Sequence, residues 1–156
     1  MAYSLDDIDL KILDQLQTDA SMSNSDLAKK LGMAPSAVLE RVKKLEQKGV
    51  IEAYVTRISP ESLNLKLLAF VFVKSSEGPG NANVAKQLSK LPEVLELHHI
   101  AGEDCYLIKI RANDPQSLIH LMREKFSKIP NILSTKTTIV LETLKETNYL
   151  PIPKEL

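Results

Sequence analysis

The sequence predicts an α+β protein in which an N-terminal helix-turn-helix is joined to a C-terminal ferredoxin-like βαββαβ domain. Two observations predict this fold. Apolar residues recur at helical spacing up to residue 50, and the remainder alternates between strand-like and helix-like patterns. A chain of 156 residues is long enough for two small domains. We predict them at 1–50 and 66–147, with a strand and linker over 51–65 and a tail over 148–156.

The first helix is predicted over residues 6–18, where Ile8, Ile12 and Leu16 recur on one face. Asp6 is the expected N-cap, and Asp9 supplies a second carboxylate to the first turn. These signals predict an amphipathic helix with one buried stripe.

The next two helices have the packing requirements of a helix-turn-helix. Ser23 is the expected cap of the second helix, which ends at Gly32. Ala28 is small enough to let the two helices approach, and Gly32 suits the turn. The third helix begins at Pro35 and ends before Gly49. Its predicted inner face carries Val38, Leu39, Val42 and Leu45.

The outward face of the third helix starts with short polar residues and continues with cations. This order is typical of a helix that reads bases with its first turn and neutralises phosphates further along. Ser36, Ala37 and Glu40 are the predicted base readers. The predicted DNA-contacting residues are Ser23, Asn24, Pro35, Ser36, Ala37, Glu40, Arg41, Lys43, Lys44 and Lys48. The alternatives are an ordinary helical hairpin and a merely solvated charged face.

Overall charge offers little attraction to nucleic acid, because 20 Lys and Arg balance 20 Asp and Glu. The basic stripe is therefore local, and we expect useful DNA affinity to require dimerisation. Cys105 is the single cysteine, which excludes an internal disulfide and fits a reducing compartment. No apolar run approaches the length of a membrane span, and the N-terminus lacks a leader pattern, so we predict a cytoplasmic protein without a membrane partner.

An enzyme is not expected, since no phosphate-binding glycine loop, metalloprotease motif or nucleophilic triad is present in the sequence. His98 and His99 are neighbours on a predicted strand and point to opposite faces, and His120 stands alone on a helix. We therefore predict no metal and no cofactor.

The second half of the chain follows a strand over Val50–Ile58 and a turn over 59–62. Strands are predicted over 67–74, 94–102, 104–112 and 132–144, with helices over 83–92 and 115–130. The first of these strands is apolar without alternation, whereas two helices can cover only one face of the sheet. We therefore predict a homodimer or larger assembly built on the second face.

Several segments together resemble the Lrp/AsnC family, the feast/famine transcription regulators. They are "IDLKILDQLQTDASMSNSDLAKKLGMAPSAVLERVKKLEQKGVI", "LAFVFV", "AGEDCYLIKI" and "TKTTIVLETLK", and their order covers nearly the whole chain. The resemblance implies a winged helix-turn-helix that binds double-stranded DNA and a ferredoxin-like domain that forms dimers. It further implies tetramers or octamers that respond to small molecules, usually amino acids.

The resemblance also implies an effector site around Gly102, which matches the glycine of the family's Gly-x-x-Asp-Tyr block, and around the Thr-x-Thr start of the last strand. Loop amides and threonine hydroxyls would bind the carboxylate of a zwitterion, and acidic side chains or carbonyls its ammonium. The implied effector residues are His99, Ala101, Gly102, Glu103, Asp104, Cys105, Tyr106, Thr135, Thr137 and Thr138.

Two positions depart from the family pattern. Ala34 replaces a frequent serine, so the third helix lacks an N-cap hydroxyl. Cys105 stands at the aspartate position of the Gly-x-x-Asp-Tyr block, which substitutes a weak thiol for an ionised acceptor. The second departure predicts an effector other than leucine, or a transfer of the acidic role to Asp104. The rival interpretation is an amino-acid-sensing module that acts through a protein partner.

Overall fold

The computed structural model describes residues 4–78, 80–103 and 105–153. The chain forms two compact units. One unit runs to Arg57 and takes in the chain again from Lys145, and the other spans Ile58–Leu144. The first unit is therefore built from two stretches that are far apart in sequence, whereas the predicted division assigned residues up to 147 to the second domain.

The first unit contains three helices, which are α1 (Asp7–Thr18), α2 (Asn24–Leu31) and α3 (Pro35–Gln47). The predicted caps of α1 and α2 are confirmed. The Asp6 carboxylate accepts a hydrogen bond from the backbone N–H of Asp9, and the Asp9 carboxylate accepts one from the backbone N–H of Asp6. Ser23 accepts from the backbone N–H of Asp26. Both helices thus begin where a side chain satisfies their first N–H groups.

The turn between α2 and α3 depends on Gly32, which has φ 65° and ψ 34° in the left-handed region. Its N–H and that of Met33 both donate to the carbonyl of Ala28. Ala28 is 1% exposed, as the predicted close approach of the two helices requires. The helix-turn-helix is confirmed, and α3 starts with Pro35 but has no side-chain cap at Ala34.

The core of the helical unit is a small apolar cluster contributed by all three helices. Its members include Ile12, Leu27, Val38 and Leu45, each with no exposed surface. The prediction that Leu39 belongs to this inner face is wrong, because Leu39 is 39% exposed. Positions 38, 42 and 45 align on one stripe, and position 39 lies one helical step, about 100°, away from position 38.

The predicted strand over Val50–Ile58 is also wrong. The backbone N–H groups of Val50 and Ile51 both donate to the carbonyl of Leu45, which closes the end of α3. Their side chains pack against the helical core. All four strands of the described sheet lie in the second unit, so residues 52–58 have no neighbouring strand to pair with.

The C-terminal tail docks on α1 through hydrogen bonds that the sequence did not predict. The Gln17 side-chain amide donates to the carbonyl of Leu150 at 3.0 Å and accepts from the N–H of Leu150 at 2.8 Å. The Tyr149 hydroxyl donates to the Asp14 carboxylate. The tail is irregular in conformation, yet it belongs to the helical unit.

The second unit has the order βαββαβ, and the predicted ferredoxin-like fold is confirmed. Its elements are β1 (Leu67–Ser75), α4 (Asn83–Leu88), β2 (Val94–His99), β3 (Tyr106–Ala112), α5 (Pro115–Glu124) and β4 (Ile132–Ile139). The strands form an antiparallel sheet in the order β2-β3-β1-β4. Most predicted elements were too long: β2 ends before Ile100, β3 starts after Cys105, and a 3-10 turn follows α5.

The two faces of this sheet differ. Val71 and Val73 of β1 and Ile108 and Ile110 of β3 are fully buried, with 0% exposure. They belong to the core cluster that residues of α4 and α5 complete on this face. The opposite face carries the half-buried side chains of Phe70, Phe72 and Leu107. Lys136 lies over the Phe72 ring at 4.6 Å, and Lys109 pairs with Glu96 at 3.0 Å. The second face is thus an aromatic centre with charged flanks. No helix in the described ranges is long and apolar enough to cross a membrane.

Candidate nucleic-acid interface and effector site

The exposed face of α3 carries most of the predicted DNA contacts. Pro35, Ser36 and Glu40 are exposed near its start, and Ala37 is half-buried beside them. Lys43 and Lys44 are exposed in its second half, and Lys48 is exposed at its C-cap. The order of short polar residues followed by cations is therefore present on an accessible helix surface. Short polar side chains suit contacts with base edges, and cations suit contacts with phosphates.

The two predicted contacts at the start of α2 are more constrained. The Ser23 hydroxyl accepts from the Asp26 N–H at 3.1 Å and donates to the Asp26 carboxylate at 2.6 Å. Asn24 is half-buried in the first turn. The main role of the Ser23 side chain is therefore to start α2, since both of its hydrogen-bonding functions are already used.

Arg41 is not on the outward face with the lysines, which corrects the predicted placement. Its side chain is 29% exposed, and Nη1 lies 2.8 Å from Asp6 Oδ2 and 2.9 Å from Asp9 Oδ1. Asp9 is 1% exposed. The hydrogen bonds from the Asp9 backbone and from Arg41 hold the pKa of Asp6 below its usual range. The hydrogen bond to Asp6, and after it the hydrogen bond to Asp9, raises the pKa of Arg41.

Local sequence patterns do not predict the ion pair between α1 and α3, because each of its three residues already has a role within its own helix. The two acids explained the start of α1, and Arg41 completed a run of cations. A usable signal was the identity of the cation, since Arg41 is the single arginine among the lysines of α3. Arginine is the residue of choice for a half-buried position between two carboxylates.

Six of the predicted effector residues meet around the hairpin between β2 and β3. Ile100 N–H donates to the carbonyl of Cys105 at 3.0 Å and closes this hairpin. The His99 and Tyr106 rings lie 5.4 Å apart, and the exposed turn contains Ala101, Gly102 and Glu103. Gly102 has φ 135°, which side-chain-bearing residues rarely adopt. Asp104, the seventh predicted contact in this segment, lies outside the described residues.

Cys105 turns toward β1 rather than toward the exposed turn. Its N–H donates to the carbonyl of Val73 at 2.9 Å, and its sulfur accepts from the N–H of Ser75 at 3.4 Å. Tyr106, the next residue, is 7% exposed and belongs to the core. Burial, followed by the charge of Glu77, raises the pKa of Tyr106. The Tyr106 ring is therefore packed in the core beside the hairpin and offers little accessible surface to a ligand.

The predicted threonines of β4 form a separate group. Val73 pairs with both Tyr106 and Thr135, so one strand stands between the hairpin and β4. Two strand spacings separate Tyr106 from Thr135, which is roughly 10 Å. Thr137 shares the face of Thr135, whereas Thr138 pairs with Phe70 and lies on the opposite face. Thr138 therefore does not share a face with the other two threonines, because side chains alternate along a strand.

A cavity of about 430 Å³ lies elsewhere in the second unit. Its lining includes Glu93, Arg111, His120 and Lys125, none of which was predicted to bind a ligand. Lys125 pairs with Glu93 across it. Among the described residues, no group of three or more His, Cys, Asp or Glu side chains is placed to hold a metal ion.

Comparison with known proteins matches two successive parts of the chain to two family models. The winged helix-turn-helix DNA-binding family matches residues 5–52, and the Lrp/AsnC ligand binding domain matches residues 68–150. The leucine-responsive regulatory protein of Haemophilus influenzae is 38% identical over 151 residues, which cover 94% of this chain and 90% of the relative.

Two solved structures resemble the whole chain. A transcriptional regulator from Neisseria meningitidis in complex with L-Met superposes with a TM-score of 0.89 at 32% identity, covering 95% of this chain and 97% of that one. AsnC of Escherichia coli superposes with a TM-score of 0.88 at 28% identity, covering 96% of this chain and 100% of that one. The ligand-binding match alone spans more than half of the sequence. The chain belongs to the Lrp/AsnC family of transcriptional regulators, with a DNA-binding helix-turn-helix followed by a domain that binds a small effector.

Proposed function

We propose that α3 reads a specific sequence in the major groove of double-stranded DNA, and that an amino acid bound by the second unit controls this binding. The observation that carries the proposal is the surface of α3. Its inner stripe of Val38, Val42 and Leu45 is buried, while Ser36 and the lysines of the second half are exposed. A helix docked by one face and polar on the other is what groove reading requires.

Each part of the exposed face has a distinct proposed task. Ser36, Ala37 and Glu40 approach base edges, because they are short or medium side chains at the N-terminal end of the helix. Lys43, Lys44 and Lys48 neutralise phosphates. Three such cations on a chain of zero formal net charge give weak binding per copy, so several copies must bind together.

The test is a fluorescence-anisotropy titration of the full-length protein on its own upstream DNA, repeated over a salt series. We expect the logarithm of the affinity to fall steeply and linearly with the logarithm of the salt concentration. Lys43→Ala and Lys44→Ala should each reduce the slope by about 1. Lys90→Ala is the matched control, since Lys90 is an exposed lysine of the second unit. Salt-insensitive or absent binding would favour action through a protein partner.

The base-reading assignment needs a separate measurement. Ser36→Ala and Glu40→Ala should change the preferred DNA sequence when a randomised pool is selected. Equal weakening on every sequence would contradict the assignment, because a residue that reads no base cannot alter preference.

An amino-acid effector is supported by the chemistry of the β2–β3 hairpin. The exposed turn offers backbone amides around Gly102 and the carboxylate of Glu103, and His99 is the last residue of the adjoining strand β2. Such groups complement the carboxylate and ammonium of a zwitterion. The related Neisseria meningitidis regulator is a complex with L-Met. Since Thr135 and Thr137 lie apart from the hairpin within one chain, we place the ligand where two copies meet.

Assembly is the proposed route by which the ligand acts. We propose a homodimer through the sheet face that carries Phe70, Phe72 and Leu107, with dimers joining into tetramers or octamers. An effector between dimers shifts this equilibrium only as far as it prefers one assembly. Analytical ultracentrifugation with each of the twenty amino acids should show a mass shift for one or a few of them. Glu103→Ala should weaken that response, and a ligand that binds without changing assembly or DNA affinity would contradict the mechanism.

A further inference from the structure

We propose that Arg41 is a positioning residue: it sets the orientation of α3 through Asp6 and Asp9 and so determines DNA sequence preference, without contacting phosphate. The inference rests on the proposed role of α3 and adds a residue with a different task from the lysines. Its basis is one juxtaposition, Arg41 Nη1 at 2.8 Å from Asp6 Oδ2 and at 2.9 Å from Asp9 Oδ1.

The two carboxylates divide their oxygens between two tasks. Asp6 Oδ1 accepts from the Asp9 N–H at 2.8 Å, and Asp9 Oδ2 accepts from the Asp6 N–H at 3.3 Å. The remaining oxygen of each carboxylate faces Arg41. The capping box that starts α1 therefore holds both acceptors in fixed positions.

Burial makes this ion pair different from an ordinary surface one. Asp9 is 1% exposed and Arg41 is 29% exposed, so salt screens their interaction less than that of exposed charges. If the Arg41 side chain turned away to contact a phosphate, the buried Asp9 carboxylate would lose this ion pair, which is costly. Phosphate neutralisation is therefore left to Lys43, Lys44 and Lys48, all of which are exposed.

Arg41 occupies a flank of α3 from which it can resist rotation. It follows Val38 by three residues and precedes Val42, so it borders the buried stripe. Apolar contacts are non-directional, whereas a hydrogen-bonded ion pair has a preferred geometry. Rotating α3 by about 20° would move a side-chain tip at a radius of roughly 5–6 Å by about 2 Å. That displacement breaks a hydrogen bond between a base edge and the side chain of Ser36 or Glu40.

The test compares Arg41→Ala, Arg41→Lys and Asp6→Asn with Lys44→Ala in the full-length protein. For each variant, the affinities for the selected operator and for a scrambled duplex are measured over the same salt series. We expect Arg41→Ala to lower the ratio of the two affinities by about tenfold or more, with the salt slope unchanged. Arg41→Lys should recover only part of the ratio, because lysine does not reproduce the guanidinium fork. Lys44→Ala should do the opposite, lowering the slope by about 1 and keeping the ratio.

Asp6→Asn guards against a trivial loss of folding, because Asp6 is 53% exposed and asparagine is itself a good N-cap. It should lower the ratio in the same direction as Arg41→Ala while the circular dichroism melt stays cooperative. A slope reduced by Arg41→Ala, with both DNAs weakened alike, would overturn the proposal and make Arg41 a phosphate contact. An unchanged ratio in folded variants would overturn it as well. If the wild type itself prefers no sequence, the proposed base-reading function fails. If the wild type prefers one sequence and the folded Arg41 variants keep that preference, only the inference about Arg41 fails.

Discussion

The helical unit, which is the first unit, and the sheet unit, which is the second, bury their apolar surfaces in different ways. In the helical unit, three amphipathic helices bury their stripes against each other, and the outer face of α3 carries polar and charged side chains. In the sheet unit, α4 and α5 cover one face, while Phe70, Phe72 and Leu107 remain half-buried on the other.

The difference indicates a division of tasks. A unit whose apolar residues are already packed has a surface suited to a charged, hydrated partner such as DNA. A unit with an aromatic sheet face is completed by another apolar surface, and a second copy of the chain supplies one. Substitutions that act on one unit and spare the other test this comparison.

The largest expected effect comes from the core of the helical unit. Leu45→Ala removes a fully buried side chain of α3 and should lower the free energy of unfolding by about 2–5 kcal/mol. Leu39→Ala on the same helix is the matched control and should cost well under about 1 kcal/mol, because Leu39 is already 39% exposed. Urea denaturation followed by circular dichroism measures both. Equal losses would mean that Leu39 is packed after all.

The sheet unit is probed by a charge on its second face. Phe72→Glu should weaken self-association by about 2–3 kcal/mol, because an acid at a buried interface loses its hydration without a designed partner. Ile119→Glu on α5 places the same charge on an apolar side chain that is 42% exposed, and should leave association unchanged. Sedimentation equilibrium gives the dissociation constants. Similar constants for both variants would remove the second face from the proposed dimer.

A smaller effect is expected at the turn of the helix-turn-helix. Gly32→Ala introduces a Cβ at φ 65°, where residues with side chains are strained by about 1–2 kcal/mol. No atom lies within 4 Å of the new Cβ, so the loss should come from the backbone conformation alone. Thermal unfolding of the two proteins measures it. A gain in stability would show that the turn relaxes to another conformation.

The smallest effect is a predicted gain at the uncapped helix. Ala34 has φ −69° and ψ 137°, the extended conformation of an N-cap residue, but it has no side-chain acceptor. Ala34→Ser should therefore stabilise the protein by about 0.5–1 kcal/mol. Ser23→Ala at the start of α2 is the mirror experiment and should destabilise it by a similar amount. Chemical denaturation measures the free energy of unfolding of both variants. The capping argument holds only if the two substitutions change it in opposite directions.

Local signals predicted the helix starts and the turn, because each depends on residues within about four positions of one another. Asp6, Ser23, Gly32 and Pro35 illustrate this. The strand expected at Val50–Ile58 failed for the opposite reason: an alternating pattern indicates a strand only if another strand lies beside it. Likewise, apolar character alone did not distinguish Leu39 from Val38, since only the side of α3 that carries Val38 packs against the other helices.

The sequence by itself determined the two-domain α+β organisation, the capped helices of the DNA-binding unit and the polar, lysine-rich face of α3. Only the tertiary structure decided that Arg41 belongs to the α1–α3 interface and that Leu150 pairs with Gln17. The Arg41 and Leu150 contacts join residues separated by 32 to 133 positions. Such contacts depend on how helices and strands close around a core, a property of the whole chain that no short window of sequence contains.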